Sequence, residues 1–377
     1  MGATAAEREA QDEPVVPAEE LAGPESGVGA PAGLAAGAQA GPVDDVLTDG
    51  EAGAGLEAGG AGRPGDDQED QADRQVASQV PVSVLVPSFR RKQYLERALA
   101  SVAAQKGVRP LEVIVVDDGS ADGTAELARA AGARVIQKAR NEGLCRARAD
   151  ALDAARGEWV AFLDDDDEWM PDHLATVWAR RGGHVVVATT SISFGGSMRR
   201  LHGASTARPE VVRSPARLMF PENSFTTSAV LVRRDVLVSC GGFDRNLDYL
   251  EDVDAWMRVL ERGSGLLSPE VTCFYRHHEG QVSRRRTEMQ EATTYVMDKY
   301  RGRPWLSERT RQAVATVGAW DDLQAARASR NWPEVARLGG WLAANPVRLT
   351  SLGRLLEFRR HVRNRSRAFA GLAGVPA

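Results

Sequence analysis

The chain has 377 residues, 47 Lys and Arg against 52 Asp and Glu, a formal net charge of −5 and three cysteines. That length holds a sizeable core in one or two domains, while Cys145, Cys240 and Cys273 are odd in number and lack metal-ligand spacing, which excludes a disulfide framework and points to a reducing compartment. No run approaches ~20 uninterrupted apolar residues, so no membrane-spanning helix is expected.

The charge is unevenly placed. Residues 1–80 carry 17 acids and 3 basic residues, a net of −14, so residues 81–377 carry +9. The first segment is dominated by Ala, Gly, Pro, Glu and Asp. It lacks the apolar clusters needed to offset its ordering entropy and reads as a disordered acidic tail. It has no basic start followed by an apolar run, so it does not read as a signal peptide. The basic residues of the remainder are mostly scattered and aromatics are sparse, so no nucleic-acid partner is expected.

From residue 81 strands and helices alternate. Val82 to Val86 reads as a first strand stopped by Pro87, followed from about Lys92 by a helix with Leu95, Leu99 and Val102 on one face. Leu111 to Val116 is a second strand, ending in Asp117-Asp118-Gly119-Ser120. Thr124 to Ala131 is helical, Arg134 to Gln137 is a short strand and Leu144 to Ala155 a helix. The apolar run Trp159 to Leu163 is then a buried strand that delivers four carboxylates, Asp164 to Asp167. Pro171 stands where a following helix would begin. Beyond residue 190 the pattern degrades. Gly195-Gly196 suggests a hairpin turn, Thr227 to Val232 a strand, Asp252 to Arg262 an amphipathic helix and Val271 to Tyr275 another strand. From residue 287 onward helices are separated by Pro304, Pro333 and Pro346. This order predicts an α/β fold with a mostly parallel sheet flanked by helices, followed by a helical extension.

The chemistry concentrates at strand ends. In an open α/β sheet, ligands bind beyond the carboxyl ends of the strands. Four acids crowded there repel one another unless something positive neutralises them, and Mg²⁺ or Mn²⁺ bridging to a substrate phosphate is the natural candidate. A second acidic turn, Asp117-Asp118-Gly119-Ser120, has the features of a nucleotide contact, since a carboxylate can accept a base N–H. Arg146 and Arg148 lie in the first turns of a helix after Asn141-Glu142-Gly143, against the helix dipole, which suits a nearby anion. Glu251 and Asp252 open an apolar helix, and Arg276-His277-His278 follows a strand, with His278 a candidate contact to phosphate or metal.

Taken in order, Val84 to Phe89, Val113 to Ser120, Asn141-Glu-Gly143 with Ala147-Arg148, Phe162 to Asp167, Gly242-Phe-Asp244 and Glu251-Asp252 resemble the inverting glycosyltransferase family 2, over roughly residues 81–280. The resemblance implies a GT-A fold: a nucleotide-sugar half over residues 81–190, an acceptor half over 191–286 and a helical region over 287–377. It implies that Pro87, Ser88, Asp117 and Asp118 line the nucleoside pocket, that Arg148 stands near the diphosphate, and that Asp164 and Asp165 contact the nucleotide sugar. It further implies that Asp166, with Asp167 and His278, holds Mg²⁺ or Mn²⁺, and that Asp252, beside Glu251, is the catalytic base. The sequence departs from the pattern at Asp165, where a small polar residue is usual, and at Cys145 and Ala149.

The implied activity is metal-dependent, inverting transfer from a nucleoside diphosphate sugar, UDP-linked by preference, to an acceptor hydroxyl or amine. The acceptor is a glycan, a lipid-linked molecule or a small molecule. A cytoplasmic location is expected, with peripheral contact to the inner membrane face through the basic segment Leu352 to Arg367. Competing readings are a nucleotidyltransferase, although Pro87-Ser-Phe-Arg-Arg91 lacks the glycines of a phosphate loop, a catalytically silent nucleotide-sugar sensor, and an interaction protein acting through its tail.

Overall fold

The computed structural model describes residues 77–369, except 196–198, 222, 279–280 and 282–284. The expected acidic tail lies outside the described residues up to position 76, as do the second glycine of the expected turn at Gly195 and part of the Arg284–Arg286 cluster.

The strands are β1 (Ser78–Ser88), β2 (Val108–Asp117), β3 (Arg134–Gln137), β4 (Trp159–Phe162), β5 (Glu168–Trp169), β6 (Val186–Phe194), β7 (Leu201–His202), β8 (Glu210–Val212), β9 (Val230–Arg233) and β10 (Gly265–Arg276). The helices are α1 (Lys92–Ala103), α2 (Thr124–Ala130), α3 (Leu144–Ala154), α4 (His173–Arg180), α5 (Arg234–Ser239), α6 (Glu251–Leu260), α7 (Arg286–Lys299), α8 (Glu308–Ala328), α9 (Trp332–Ala343) and α10 (Pro346–Phe369). One sheet runs in the order β3-β2-β1-β4-β9-β6-β10-β5, with β7 on β6 and β8 on β10. β3, β2, β1 and β4 are parallel, as are β6 and β10. β9 runs antiparallel between β4 and β6, and β5 is antiparallel to β10. The sheet is therefore mostly parallel, as expected, with β5, β7, β8 and β9 added antiparallel.

β1 is the pivot of this sheet. The chain leaves it toward β2 and β3 on one side and returns to β4 on the other, which opens a crevice beyond its carboxyl end. Its near-continuous apolar sequence suits a strand buried on both faces. Val82, Val84 and Val86 face a layer containing Leu95, Leu99 and Val102 of α1 with Leu174 and Val177 of α4. Leu85 faces the opposite layer, with Leu152 of α3, Phe162 of β4 and Trp256 of α6. Helix α3 comes close because Ala147, Ala149 and Ala151 meet the sheet with small side chains.

β6 has no counterpart among the expected strands. All nine of its residues are buried, but Thr189, Thr190, Ser191 and Ser193 break the apolar run. Their hydroxyls find partners instead, Thr189 with Thr272 at 2.7 Å and Thr190 with the Ser268 carbonyl at 3.0 Å. Pro171 does not open a helix directly. Glu168 and Trp169 first pair with β10, and α4 starts at His173. The expected strand from Thr227 begins as a 3-10 turn over Thr227–Ala229, which turns the Thr227 and Ser228 hydroxyls toward acids.

The C-terminal helices share the main core. Val296, Met297 and Tyr300 of α7 and Val314 of α8 belong to the same buried cluster as Trp256. Phe358 and Val362 of α10 pack with Ile192 and Leu201. Several α10 arginines face inward, contrary to a purely solvent-facing basic stretch. Arg359 pairs with Asp321 at 2.7 Å and Arg365 donates to the Pro269 carbonyl at 3.0 Å, while Arg354, Arg360, Arg363 and Arg367 are exposed.

Phe162 sits edge-on between Phe243 and Trp256, with ring centroids 5.5 and 5.3 Å away. Phe162→Ala removes a fully buried ring directly beneath the acidic turn, at an expected cost of about 3–5 kcal/mol. Urea denaturation followed by tryptophan fluorescence measures it, and a loss below 1 kcal/mol would contradict this packing.

Candidate active site

At the carboxyl end of β1, Ser88 stands opposite Asp117 of β2. The chain leaving β4 turns tightly, with the Asp167 amide donating to the Asp164 carbonyl at 3.0 Å. That turn fans the four carboxylates apart. Asp164 accepts from Arg148 Nη2 at 2.5 Å. Asp165 accepts from the Ser88 hydroxyl at 2.7 Å and from Arg91 at 3.2 Å. Asp166 Oδ2 is shared by Arg91 at 2.8 Å and His278 Nε2 at 2.7 Å. Asp167 points the other way, accepting from the Ser228 hydroxyl at 2.6 Å and the Arg276 amide at 2.9 Å.

A cavity of about 300 Å³ opens over this turn, lined among others by Pro87, Arg91, Arg148, Asp164, Asp165, Asp166, Glu251 and Asp252. Ser88 and His278 stand behind it, each against one of its acids. Asp167 does not reach it. Both its oxygens are engaged behind the turn, so its expected metal contact gives way to a structural role, tying the turn to β9 and β10.

Burial holds three of these carboxyls above the ordinary range. Asp164 is raised by burial and by Asp166, against Arg148. Asp165 is pushed up to about 7, by burial first and then by the charge of Asp166, with Arg91 and Ser88 opposing. Asp167 is raised by burial and then by its acidic neighbours Asp166 and Asp164. The site has more negative charge than its own cations neutralise comfortably.

Arg148 is only 3% exposed and is not a free anion-binding group. One guanidinium nitrogen bonds Asp164 and the other bonds Glu251, so it links the acidic turn to the first residue of α6. Asp164 and Glu251 raise its pKa against the opposing effect of burial. It is thus a buried bridge that also lines the cavity. Asp118 likewise meets the protein's own groups. It accepts from the Glu142 and Gly143 amides at 3.1 and 2.8 Å and faces Lys138 at 3.3 Å, which anchors the loop into α3. Asp117 is fully buried. Its Oδ1 accepts from the Ser120 amide at 2.9 Å, and its Oδ2 has no partner among the described residues.

Glu251 and Asp252 are separated by environment. Leu250, at φ 59°, turns the chain sharply into α6 and sets both acids at its amino end, where the dipole favours negative charge. Glu251 is buried against Arg148 and lines the cavity; burial pushes it up to about 7 against the pull of Arg148. Asp252 is half-buried and borders the cavity. The Thr227 hydroxyl donates to its Oδ2 at 2.6 Å.

Arg91, Thr227, Ser228 and Arg276 were not assigned roles from the sequence. Arg91 carries a signal in retrospect, as a cation directly after the first strand and facing an acidic turn. Thr227 and Ser228 carry none, because their contacts span 25 and 61 residues.

The raised Asp165 gives a sign to the pH dependence. Its folded-state pKa of about 7 exceeds the ordinary 3.8, so the folded protein holds a proton that the unfolded chain releases. Stability from this group is full below about pH 4 and is lost as pH rises toward 7. We expect wild type to gain several degrees in Tm, relative to Asp165→Asn, on going from pH 8 to pH 5.5. Thermal scans of both proteins check this, and parallel pH profiles would contradict it.

Residues 83–239 match the family model described as glycosyl transferase family 2. The chain is 31% identical over 218 residues to the succinoglycan biosynthesis protein ExoO of Rhizobium meliloti, covering 54% of this chain and 62% of that protein. It is 25% identical over 231 residues to an uncharacterized glycosyltransferase of Haemophilus influenzae, covering 58% of this chain and 76% of that one. The fold matches residues 1–349 of S. aureus TarS with a TM-score of 0.50 at 20% identity, covering 76% of this chain and 82% of that one. It matches the mannosyltransferase PcManGT of Pyrobaculum calidifontis with a TM-score of 0.50 at 19% identity, covering 80% and 92%. Over residues 83–239, the segment that carries the acidic turn, this chain is therefore similar to glycosyl transferase family 2, and its relatives include glycosyltransferases.

Proposed function

We propose that this glycosyltransferase transfers a hexose-type sugar from a nucleoside diphosphate donor to an acceptor hydroxyl or amine, with a divalent cation and with inversion at the anomeric carbon. The observation that carries this reading is the convergence, on one cavity, of Asp164 to Asp166 from the end of β4 and the half-buried Asp252 from the start of α6. Fold relatives support the donor class: TarS was solved in complex with UDP-GlcNAc, and PcManGT with GDP-Man and Mn²⁺. They differ in base, so UDP is the first donor to test rather than a settled one.

The residues fit a hard cation. Asp164 and Asp166 would hold it, with His278 steadying Asp166 from behind, and their raised or crowded charge is what such an ion relieves. Among the described residues no three ligand side chains converge. That suits a cation bound by one or two carboxylates and completed by substrate phosphates. When bound, Mg²⁺ or Mn²⁺ supplies Lewis-acid neutralisation of the leaving diphosphate. Pro87 and Ser88 border the nucleoside position, and the unpartnered Oδ2 of Asp117 suits a base N–H donor. Asp252 takes the acceptor proton as the acceptor attacks from the far face. The Thr227 hydroxyl orients its carboxylate, and Arg148 keeps Glu251 from competing for that proton.

Among the described residues no helix is long and apolar enough to cross a membrane. The exposed Arg354, Arg360, Arg363 and Arg367 on α10 support peripheral contact with an anionic surface. Co-sedimentation with anionic vesicles at low salt is expected for wild type and lost when these four become Gln, and failure of wild type to co-sediment removes the idea.

Calorimetry should show UDP binding that requires Mn²⁺ and is abolished in Asp166→Asn. If neither UDP, GDP nor dTDP binds, the donor assignment fails. Asp252→Asn should keep donor affinity while losing about 10²–10⁴ in transfer rate, the range for removing a general base. Near wild-type transfer by that variant would overturn Asp252 as the base.

A further inference from the structure

A second cleft, of about 1,170 Å³, lies between the sheet body and the C-terminal helices. It adjoins the donor cavity, and Asn223, Leu250, Val253 and Met289 line both. Leu250 and Val253 flank the Glu251-Asp252 pair, so the junction lies beside the proposed base. A molecule presenting a hydroxyl to Asp252 through this junction has its remaining length in the larger cleft. The far wall is built by α7, α8 and α9, beyond the segment that matches the family model.

The lining includes an apolar set, Met219, Met289, Met297, Val314 and Val317, beside charged and polar residues of the helices. Its charges are largely answered within the wall. Asp321 pairs with Arg359 at 2.7 Å, Asp298 with Arg311 at 3.3 Å and Arg337 with Glu334, while Asp322 accepts from Gln290 at 2.9 Å. A cleft with internally paired charges offers little to a charged ligand, whereas unbranched methionines adapt to a flexible apolar one. Gly318, in the middle of α8, faces this space, and a methyl group added there would meet nothing within 4 Å.

We propose that this cleft holds the apolar tail of an amphipathic acceptor, whose hydroxylated head enters the donor cavity beside Asp252. The proposal deepens the transferase reading and rests on it. It selects, from the acceptor classes open to such an enzyme, one with a long apolar aglycone. The exposed arginines of α10, on the same helical region, are consistent with collecting such an acceptor from a membrane surface.

Gly318→Trp tests it by filling the cleft from its wall, and Gly318→Ala serves as control. Neither touches the donor cavity, and both replace a helical glycine with a better helix former, so the fold should survive. The probes are dodecyl maltoside below its micellar concentration and maltose, titrated calorimetrically in the presence of UDP and Mn²⁺. Wild type and Gly318→Ala should bind dodecyl maltoside at least tenfold more tightly than maltose. Gly318→Trp should lose that preference with UDP affinity unchanged. Equal binding of the two probes by wild type, binding of neither, or full retention of the preference in Gly318→Trp would overturn the proposal. The UDP titration reports separately on the donor site, so failure there would count against the transferase chemistry and not against the cleft.

Discussion

Negative charge has to be held at the end of β4, and much of the surrounding architecture answers that demand. Four consecutive carboxylates cannot share a buried turn unless each finds its own counterpart, because charges a few ångströms apart in a poorly solvated site repel by several kcal/mol. The turn splits them between two sides. Asp167 faces backward to a hydroxyl and an amide, while Asp164, Asp165 and Asp166 face forward to Arg148, Arg91 and His278. The backward contact makes the forward arrangement possible. By binding Ser228 and Arg276, Asp167 joins the turn to β9 and β10, and the remaining acids are presented on a rigid edge.

Arg148 extends the same logic across the cavity. A guanidinium is the suitable cation here because its planar fork can meet two carboxylates at once and it does not lose its proton when buried. Removing it would leave Asp164 and Glu251 buried without a counter-charge, a loss of the kind that costs about 3–5 kcal/mol. The link also has a chemical consequence. Glu251 and Asp252 are adjacent in sequence and share a helix terminus, yet among the described residues Arg148 bonds Glu251 while no cation bonds Asp252. Two neighbouring acids are thereby given separate work by what touches each of them.

Much of this was legible in the sequence. The strand ends that carry Asp117 and Asp164, and the helix opened by Glu251 and Asp252, follow from apolar periodicity and punctuation over short windows, and the fold places them around one crevice. What was not legible depends on long-range pairing. Nothing local marks Ser228 as the partner of Asp167, or Thr227 as the partner of Asp252. β6 escaped because hydroxyls break its apolar run, and those of Thr189 and Thr190 are satisfied by a strand that arrives some 80 residues later. The carboxylate partners of Arg148 were hidden for a related reason. A basic residue in a first helical turn suggests an anion nearby, and the anions are there, but they are the protein's own carboxylates rather than a ligand's phosphates.

The relation between the two cavities follows from where the chain places its variable mass. The donor side is assembled from strand ends and short turns fixed by the buried central strands of the sheet, which leaves little freedom to change shape. The opposite side is closed by α7 to α10, helices held to the body by Met297, Tyr300, Val314 and Phe358, and by the pairing of Lys299 with Asp244 and Asp254 at 2.7 and 2.8 Å. Substitutions along those helices can reshape the larger cleft without moving the acids of β4. Leu250 and Val253 are where the constraint changes character. They belong to the turn and helix that carry Asp252, and they also line the larger cleft. An acceptor seated there as proposed would be positioned against Asp252 by the same few residues that orient that carboxylate, so acceptor choice and proton abstraction would meet at one short stretch of α6.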